Sequence, residues 1–204
     1  MDFTIAIPTY NGAKRLPLLL SALQGQKPVP GLEWEVLVVD NNSQDDTAAI
    51  VQAWQEKHLG YPMRYCHEAQ QGAAYARQRA IREAKGAWVG FLDDDVTPDP
   101  GWLEAAIGFQ NFRSRLGAFS GKIRGIYEGE PPPDFDKIKA FLAIRDHGNQ
   151  PRPFVPEHLQ LPPAASLVVR RSAWLESVPA QQRLGGKRSD LFIQGDDYEP
   201  LLYL

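Results

Sequence analysis

Three consecutive aspartates, Asp93, Asp94 and Asp95, close the short apolar run at residues 88–92, and Pro98, Pro100 and Gly101 follow at once. The run has the length of a buried strand and is too short for an independent helix. An extended chain would put Asp93 and Asp95 on one side, about 6–7 Å apart, with Asp94 on the other. Carboxylates this crowded repel, so without a cation part of their charge is lost to raised pKa values. Hard oxygen donors at a strand end suit Mg²⁺ or Mn²⁺, and Mg²⁺ commonly takes one or two carboxylates with substrate phosphates completing its shell. A solvated acidic loop is the plain alternative. The position after a buried strand favours a ligand, because open α/β sheets bind ligands at the carboxyl ends of their strands.

The elements that would carry these groups alternate. Residues 3–7 form a β-branched run ending in Pro8, Thr9, Tyr10, Asn11 and Gly12, and Leu16, Leu19, Leu20 and Leu23 follow at helical spacing. Residues 34–39 make a second strand ending in Asp40, with turn and cap formers leading into a helix that carries Ile50, Ala53 and Trp54. Residues 63–67 make a third strand, 72–85 a helix with small residues at Ala73, Ala76, Ala80 and Ala84, and 88–92 the fourth strand. Such alternation predicts an α/β domain with a mostly parallel sheet covered on both faces.

After Pro100 the pattern changes. A helix is expected at 102–112, strands at 118–123 and 165–169, and a short helix at 170–177. Residues 125–163 are rich in Pro and Gly, with only 138–144 helical in pattern, and so long a segment usually serves as a lid or binding loop. Asp196 and Asp197 follow Gly195, with a helix expected from about Tyr198.

The composition narrows the classes. At 204 residues, 43% hydrophobic and 23% charged, the chain reads as one soluble globular domain. A net charge of −3 argues against a nucleic-acid binder, which needs a basic face. Cys66 is the only cysteine, so a reducing compartment fits. Residues 1–3 show no signal-peptide start and no run is long enough to span a bilayer, which makes the cytoplasm the expected location. Peripheral association with the inner face of a membrane stays open, as does the oligomeric state.

These positions together resemble glycosyltransferase family 2, whose members are inverting enzymes with a GT-A fold and nucleotide-sugar donors. Residues 5–11 (IAIPTYN) look like the family's first strand, whose end borders the base, which gives Pro8, Thr9, Tyr10 and Asn11 to the nucleotide. Residues 38–43 (VVDNNS) resemble its second motif, in which Asp40 binds the base. Residues 71–77 (QGAAYAR), containing Gly72 and Arg77, correspond to the segment N-x-G-x-x-x-A-R-N, with Gln in place of the customary Asn residues. Asp93-Asp94-Asp95 matches the DXD motif, and residues 195–199 (GDDYE) its G-E-D motif with Asp for Glu.

The resemblance implies a division at about residue 97, with the donor bound before it and the acceptor, a saccharide or other hydroxyl, after it. It implies a metal at Asp95 with Asp93 beside it, ribose hydroxyls at Asp94, acceptor contacts from Asp196 and Trp102, and Asp197 as general base. Arg77 would pair with the diphosphate or bridge the acid cluster; its charge and fork suit both. His67 and His147 stand at no ligand spacing. The segment D-D-D-V-T at 93–97 also fits the D-x-D-x-T signature of haloacid-dehalogenase-like phosphatases, though that signature normally follows a first strand. A nucleotide-sugar-binding domain without turnover is the third reading.

Overall fold

The computed structural model describes residues 1–112, 116–127, 129–146, 148–158, 160–184 and 195–204. In chain order these residues form β1 (Phe3–Thr9), α1 (Leu16–Gln24), β2 (Trp34–Asp40), α2 (Thr47–Gln55), β3 (Met63–His67), α3 (Ala73–Glu83), β4 (Trp88–Phe91), α4 (Trp102–Phe112), β5 (Ala118–Ser120), β6 (Leu167–Arg170) and α5 (Arg171–Ser177). The strands make one sheet of order β3-β2-β1-β4-β6-β5. The first four run parallel, whereas β6 is antiparallel to both β4 and β5. This is the mostly parallel, helix-covered sheet that the alternating pattern predicts.

Both faces of the sheet are packed, which is why β1 and β2 read as nearly unbroken apolar runs. Ile5, Ile7, Val36 and Val38 meet Leu16, Leu19, Leu20 and Leu23 of α1 on one face. Ala6, Leu37 and Val39 meet Ala76, Ala80 and Ile81 of α3 on the other. Alanines on α3 let that helix lie close to the strands and carry its polar residues to the sheet's end. Trp88 and Trp174 are buried, and Trp34 and Trp54 pack at the margin of the first core, so these four indoles are structural.

Glu35 is a polar exception inside this core, fully buried on β2. Its carboxylate accepts from Arg64 Nε at 2.8 Å, Thr4 Oγ1 at 2.9 Å and the Lys85 N–H at 2.9 Å. Burial alone would push its pKa up, but these donors outweigh it and hold the group below the ordinary glutamate value. The pair therefore stabilises the fold above the unfolded-state pKa and loses that contribution as pH falls through the lowered folded value. Arg64→Ala strands the carboxylate, and a loss of about 3 kcal/mol is expected in urea unfolding at pH 7. A loss below about 1 kcal/mol would show that Thr4 and Lys85 suffice.

Four expected elements differ. The strand at 118–123 ends at Ser120, and Ile123 instead makes an isolated bridge with Arg145. The helix at 138–144 is replaced by 3₁₀ turns at Phe135–Lys137 and Lys139–Leu142. Ile138 and Leu142 stay exposed there, so neither of them anchors a longer helix against the core. The strand at 165–169 starts at Leu167, after a 3₁₀ turn at Ala164–Ser166. The expected helix near Tyr198 is a four-residue 3₁₀ turn, Glu199–Leu202, with Pro200 in its first turn.

Candidate active site

Three neighbouring strands, β2, β1 and β4, deliver their C-terminal ends to one edge of the sheet. Thr9 is in register with Asp40, and the Leu92 N–H donates to the Ala6 carbonyl, which sets the aspartate triplet beside the end of β1. The two loops beyond β1 and β2 interlock. Asn11 donates its N–H to Ser43 Oγ at 2.9 Å and accepts from the Gln44 N–H at 2.8 Å, while the Gly12 N–H reaches Thr47 Oγ1 at 2.9 Å. Tyr10 stands out from this loop, 40% exposed, and Pro8 lies half-buried behind it. Gly72 heads α3 and is tied to the second loop, its N–H donating to Asn41 Oδ1 at 2.7 Å.

Asp40 is buried, and its oxygens accept from the Ser43 N–H at 2.9 Å and Tyr65 Oη at 2.7 Å. Asp94 turns away from Asp93, though not by strand alternation: β4 ends at Phe91 and the Val96 N–H donates to the Asp93 carbonyl at 3.2 Å, so the triplet enters a turn where an extended chain was expected. Arg15 grips it through Nε at 2.7 Å and an Nη at 2.9 Å, and Thr9 Oγ1 donates at 2.5 Å. About four acceptor positions exist on a carboxylate, so roughly one stays open for a ribose hydroxyl. Gly12 permits this contact, since a Cβ there would come within 2.0 Å of Thr9 Oγ1 and 2.8 Å of Asp94 Oδ2.

Arg77 links the two acidic motifs. Nine-tenths of its side chain is buried; one Nη lies 3.7 Å from Asp93 Oδ1 and the other donates to Asp196 Oδ2. This bridge to the acid cluster is one of the two partners that its charge and fork suit. Asp93 is raised above the ordinary aspartate value by burial first and then by Asp95, Asp94 and Asp197, with Arg77 opposing. Asp95 is exposed at the mouth of a cleft of about 310 Å³. Val96, Asp99, Trp102, Lys122, Arg124 and Ser166 also line the cleft, and Trp102 Nε1 donates to Ser166 Oγ at 3.2 Å.

Gly195, at φ +99°, bends the chain so that Asp196 and Asp197 face this cluster. Asp197 is raised in pKa by burial and by Asp196, with Arg77 and hydrogen bonds that include one from the Ala164 backbone opposing. A four-residue 3₁₀ turn has little dipole, so the stabilisation of charge expected from a helix N-terminus is absent and burial dominates.

A resident divalent ion fits this donor set in a limited way. Among the described residues no three His, Cys, Asp or Glu side chains form a cage. Asp95 and the half-open Asp93 offer one or two hard oxygens, which is what an ion shared with a diphosphate requires. His67 is exposed at the end of β3 and outside any such group, and His147 lies outside the described residues.

A mostly parallel, helix-covered sheet in this strand order is the GT-A fold, and the comparisons agree. The model of glycosyl transferase family 2 matches residues 4–150, and the chain belongs to that family. It is 36% identical over 104 residues to glycosyltransferase AglE of Haloferax volcanii, covering 51% of this chain and 34% of that protein. Its fold matches Staphylococcus aureus TarS residues 1–349 with a TM-score of 0.70 at 22% identity, over 98% of this chain and 54% of that one. It also matches a mannosyltransferase, PcManGT of Pyrobaculum calidifontis in complex with GDP-Man and Mn²⁺, with a TM-score of 0.64 at 26% identity, over 98% and 50%. The chain thus spans about a third to a half of the length of these relatives. Family membership removes the phosphatase reading, and the Asp triplet follows the fourth strand, not the first.

The structure adds two residues to the site. Arg15 precedes a leucine-rich helix in sequence, and nothing local signals that it turns to an aspartate 79 positions away. Tyr65 reads as an ordinary strand aromatic, and only pairing of β3 beside β2 brings it to Asp40.

Proposed function

We propose that this domain transfers a sugar, with inversion, from a nucleotide diphosphate donor to an acceptor hydroxyl in glycan or polysaccharide assembly. The Arg77 bridge carries the reading, because it joins the acids after β4 to the pair at 196–197 from the far end of the chain. Donor residues before about residue 97 and acceptor residues after it then meet at one place. The neighbour bound to GDP-Man and Mn²⁺ supports a nucleotide-sugar donor and a divalent ion. Pro8, Thr9, Tyr10, Asn11, Asp40 and Gly72 frame the nucleotide, and Asp94 offers its remaining acceptor position to the ribose.

In the reaction the acceptor oxygen attacks the anomeric carbon as the bond from that carbon to the diphosphate oxygen breaks. The hydroxyl proton passes to Asp197, and the nucleoside diphosphate leaves from the opposite face. A Mg²⁺ or Mn²⁺ at Asp95 and Asp93 would offset the charge gathering on the diphosphate. Arg77 keeps Asp93 and Asp196 in place, and Trp102 with Asp196 borders the acceptor. The reading places the enzyme in the cytoplasm; among the described residues no helix is long and apolar enough to cross a membrane.

A panel of nucleotide sugars, assayed for nucleoside diphosphate release with Mn²⁺ and simple saccharide acceptors, tests the reading. Release from one donor class is expected. Binding without release from any donor, with longer forms of the protein equally inactive, would leave a binding domain only.

Residues 125–163 border the cleft through Ile126 and expose Ile126, Tyr127, Ile138 and Leu142. Among the described residues of this stretch only short 3₁₀ turns and two isolated bridges organise the backbone. As a lid, the stretch should exchange its amide hydrogens quickly in the free protein and slow on donor and acceptor binding. Strong protection without ligands would contradict closure.

A further inference from the structure

Tyr65 has no part in the family resemblance, yet it is built into the floor of the nucleotide site. It is in register with Val38 on β2, so its ring packs against the same core face while its hydroxyl extends along the strand to Asp40, two residues on. The Oη···Oδ2 distance is 2.7 Å, and the Ser43 N–H holds the other oxygen at 2.9 Å. With Asp40 buried at 3% exposure, these two donors fix the plane and direction of the carboxylate. About two of its four acceptor positions remain. Burial first, and then the hydrogen bond and charge of Asp40, push the phenol pKa far up, so Tyr65 keeps its proton and always donates. With the Tyr65 hydroxyl and the Ser43 N–H both donating to it, the carboxylate is oriented as an acceptor toward a third group.

We propose that Tyr65 is a specificity-determining positioning residue: its hydroxyl locks Asp40 as an acceptor, so the site selects bases that present a ring N–H. Uracil and guanine carry such a group. Cytosine has a lone pair at the corresponding ring nitrogen, which sets acceptor against acceptor. The inference rests on the proposed nucleotide site, with Asp40 facing the base as the family resemblance implies. Its consequence is a donor restricted to uridine-, thymidine- or guanosine-type nucleotides, a choice enforced from β3 by a side chain that need not touch the base.

Calorimetric titration of UDP, GDP and CDP in Mn²⁺, and of Mn²⁺-pyrophosphate, into wild type and Tyr65→Phe tests it. Phenylalanine keeps the ring in the core and removes only the hydroxyl, and a thermal melt checks that the variant folds. Wild type should prefer UDP or GDP over CDP by about tenfold or more, the scale of one hydrogen bond to a charged group. In Tyr65→Phe the preferred nucleotide should weaken by about tenfold, with CDP and Mn²⁺-pyrophosphate changed less than about twofold. Equal weakening of all four ligands would show a merely structural role and overturn the proposal. So would a variant that keeps the wild-type preference. A wild type that binds no nucleoside diphosphate would instead overturn the functional reading itself, which separates the two failures.

Discussion

Asp197→Asn is expected to lower sugar transfer by roughly 10²-fold or more while donor and Mn²⁺ binding stay near wild type. Asparagine keeps the size of the side chain and can still accept the Ala164 N–H, but it cannot take a proton from the acceptor hydroxyl. The environment of Asp197 adds a pH signature. Burial and Asp196 raise its pKa, so the inactive protonated form persists above the ordinary aspartate range. The rate should therefore rise with pH through that raised value, and this acid limb should vanish in the Asn variant. Removing the opposing charge with Arg77→Gln should move the limb further up. An Asn variant with normal turnover on an authentic acceptor would remove Asp197 from the base role.

Asp95→Ala is expected to abolish the metal dependence of nucleotide binding. In wild type the carboxylates supply too few ligands to hold the ion well alone, so metal and diphosphate should each strengthen the other by roughly tenfold or more. Asp95 is exposed at the cleft mouth and bears little on packing, so the variant should fold and melt as wild type does. Asp40→Ala makes the contrast: base affinity falls, and the ratio of affinities with and without Mn²⁺ is kept. Thermal-shift titrations of both variants with nucleotide, in Mn²⁺ and in EDTA, separate the two outcomes. An Asp95→Ala protein still responding to Mn²⁺ like wild type would place the ion elsewhere.

The N-terminal half was legible because each of its features is local. Apolar runs ending in Asp40 and Asp93, and leucines at helical spacing before them, specify strand, helix and strand end within one window. The triplet's position after a strand was equally local, but its extended alternation did not hold, because residues 93–96 turn as soon as β4 ends. Contacts made across the sheet were not legible. Arg15 meets Asp94, Tyr65 meets Asp40 and Arg77 meets Asp196 only once β3, β2, β1 and β4 lie side by side and residue 195 folds back. After residue 112 the reading was weaker for a related reason. Short apolar groups such as Ile138 and Leu142 have helical spacing, but no partner surface buries them, and spacing alone does not make a stable helix. Asp197 shows the same limit, since its raised pKa follows from burial and from Asp196, with Arg77 opposing, and not from the expected helix end.

The central claim is that acids gathered at the ends of β2, β1 and β4 bind a nucleotide diphosphate together with a divalent ion. Calorimetric titration of the wild-type protein with UDP and GDP, once in Mn²⁺ and once in EDTA, tests it most directly. The account predicts binding of at least one of them in Mn²⁺ and a loss of roughly tenfold or more in EDTA; equal affinity in both, or no binding in either, would contradict it.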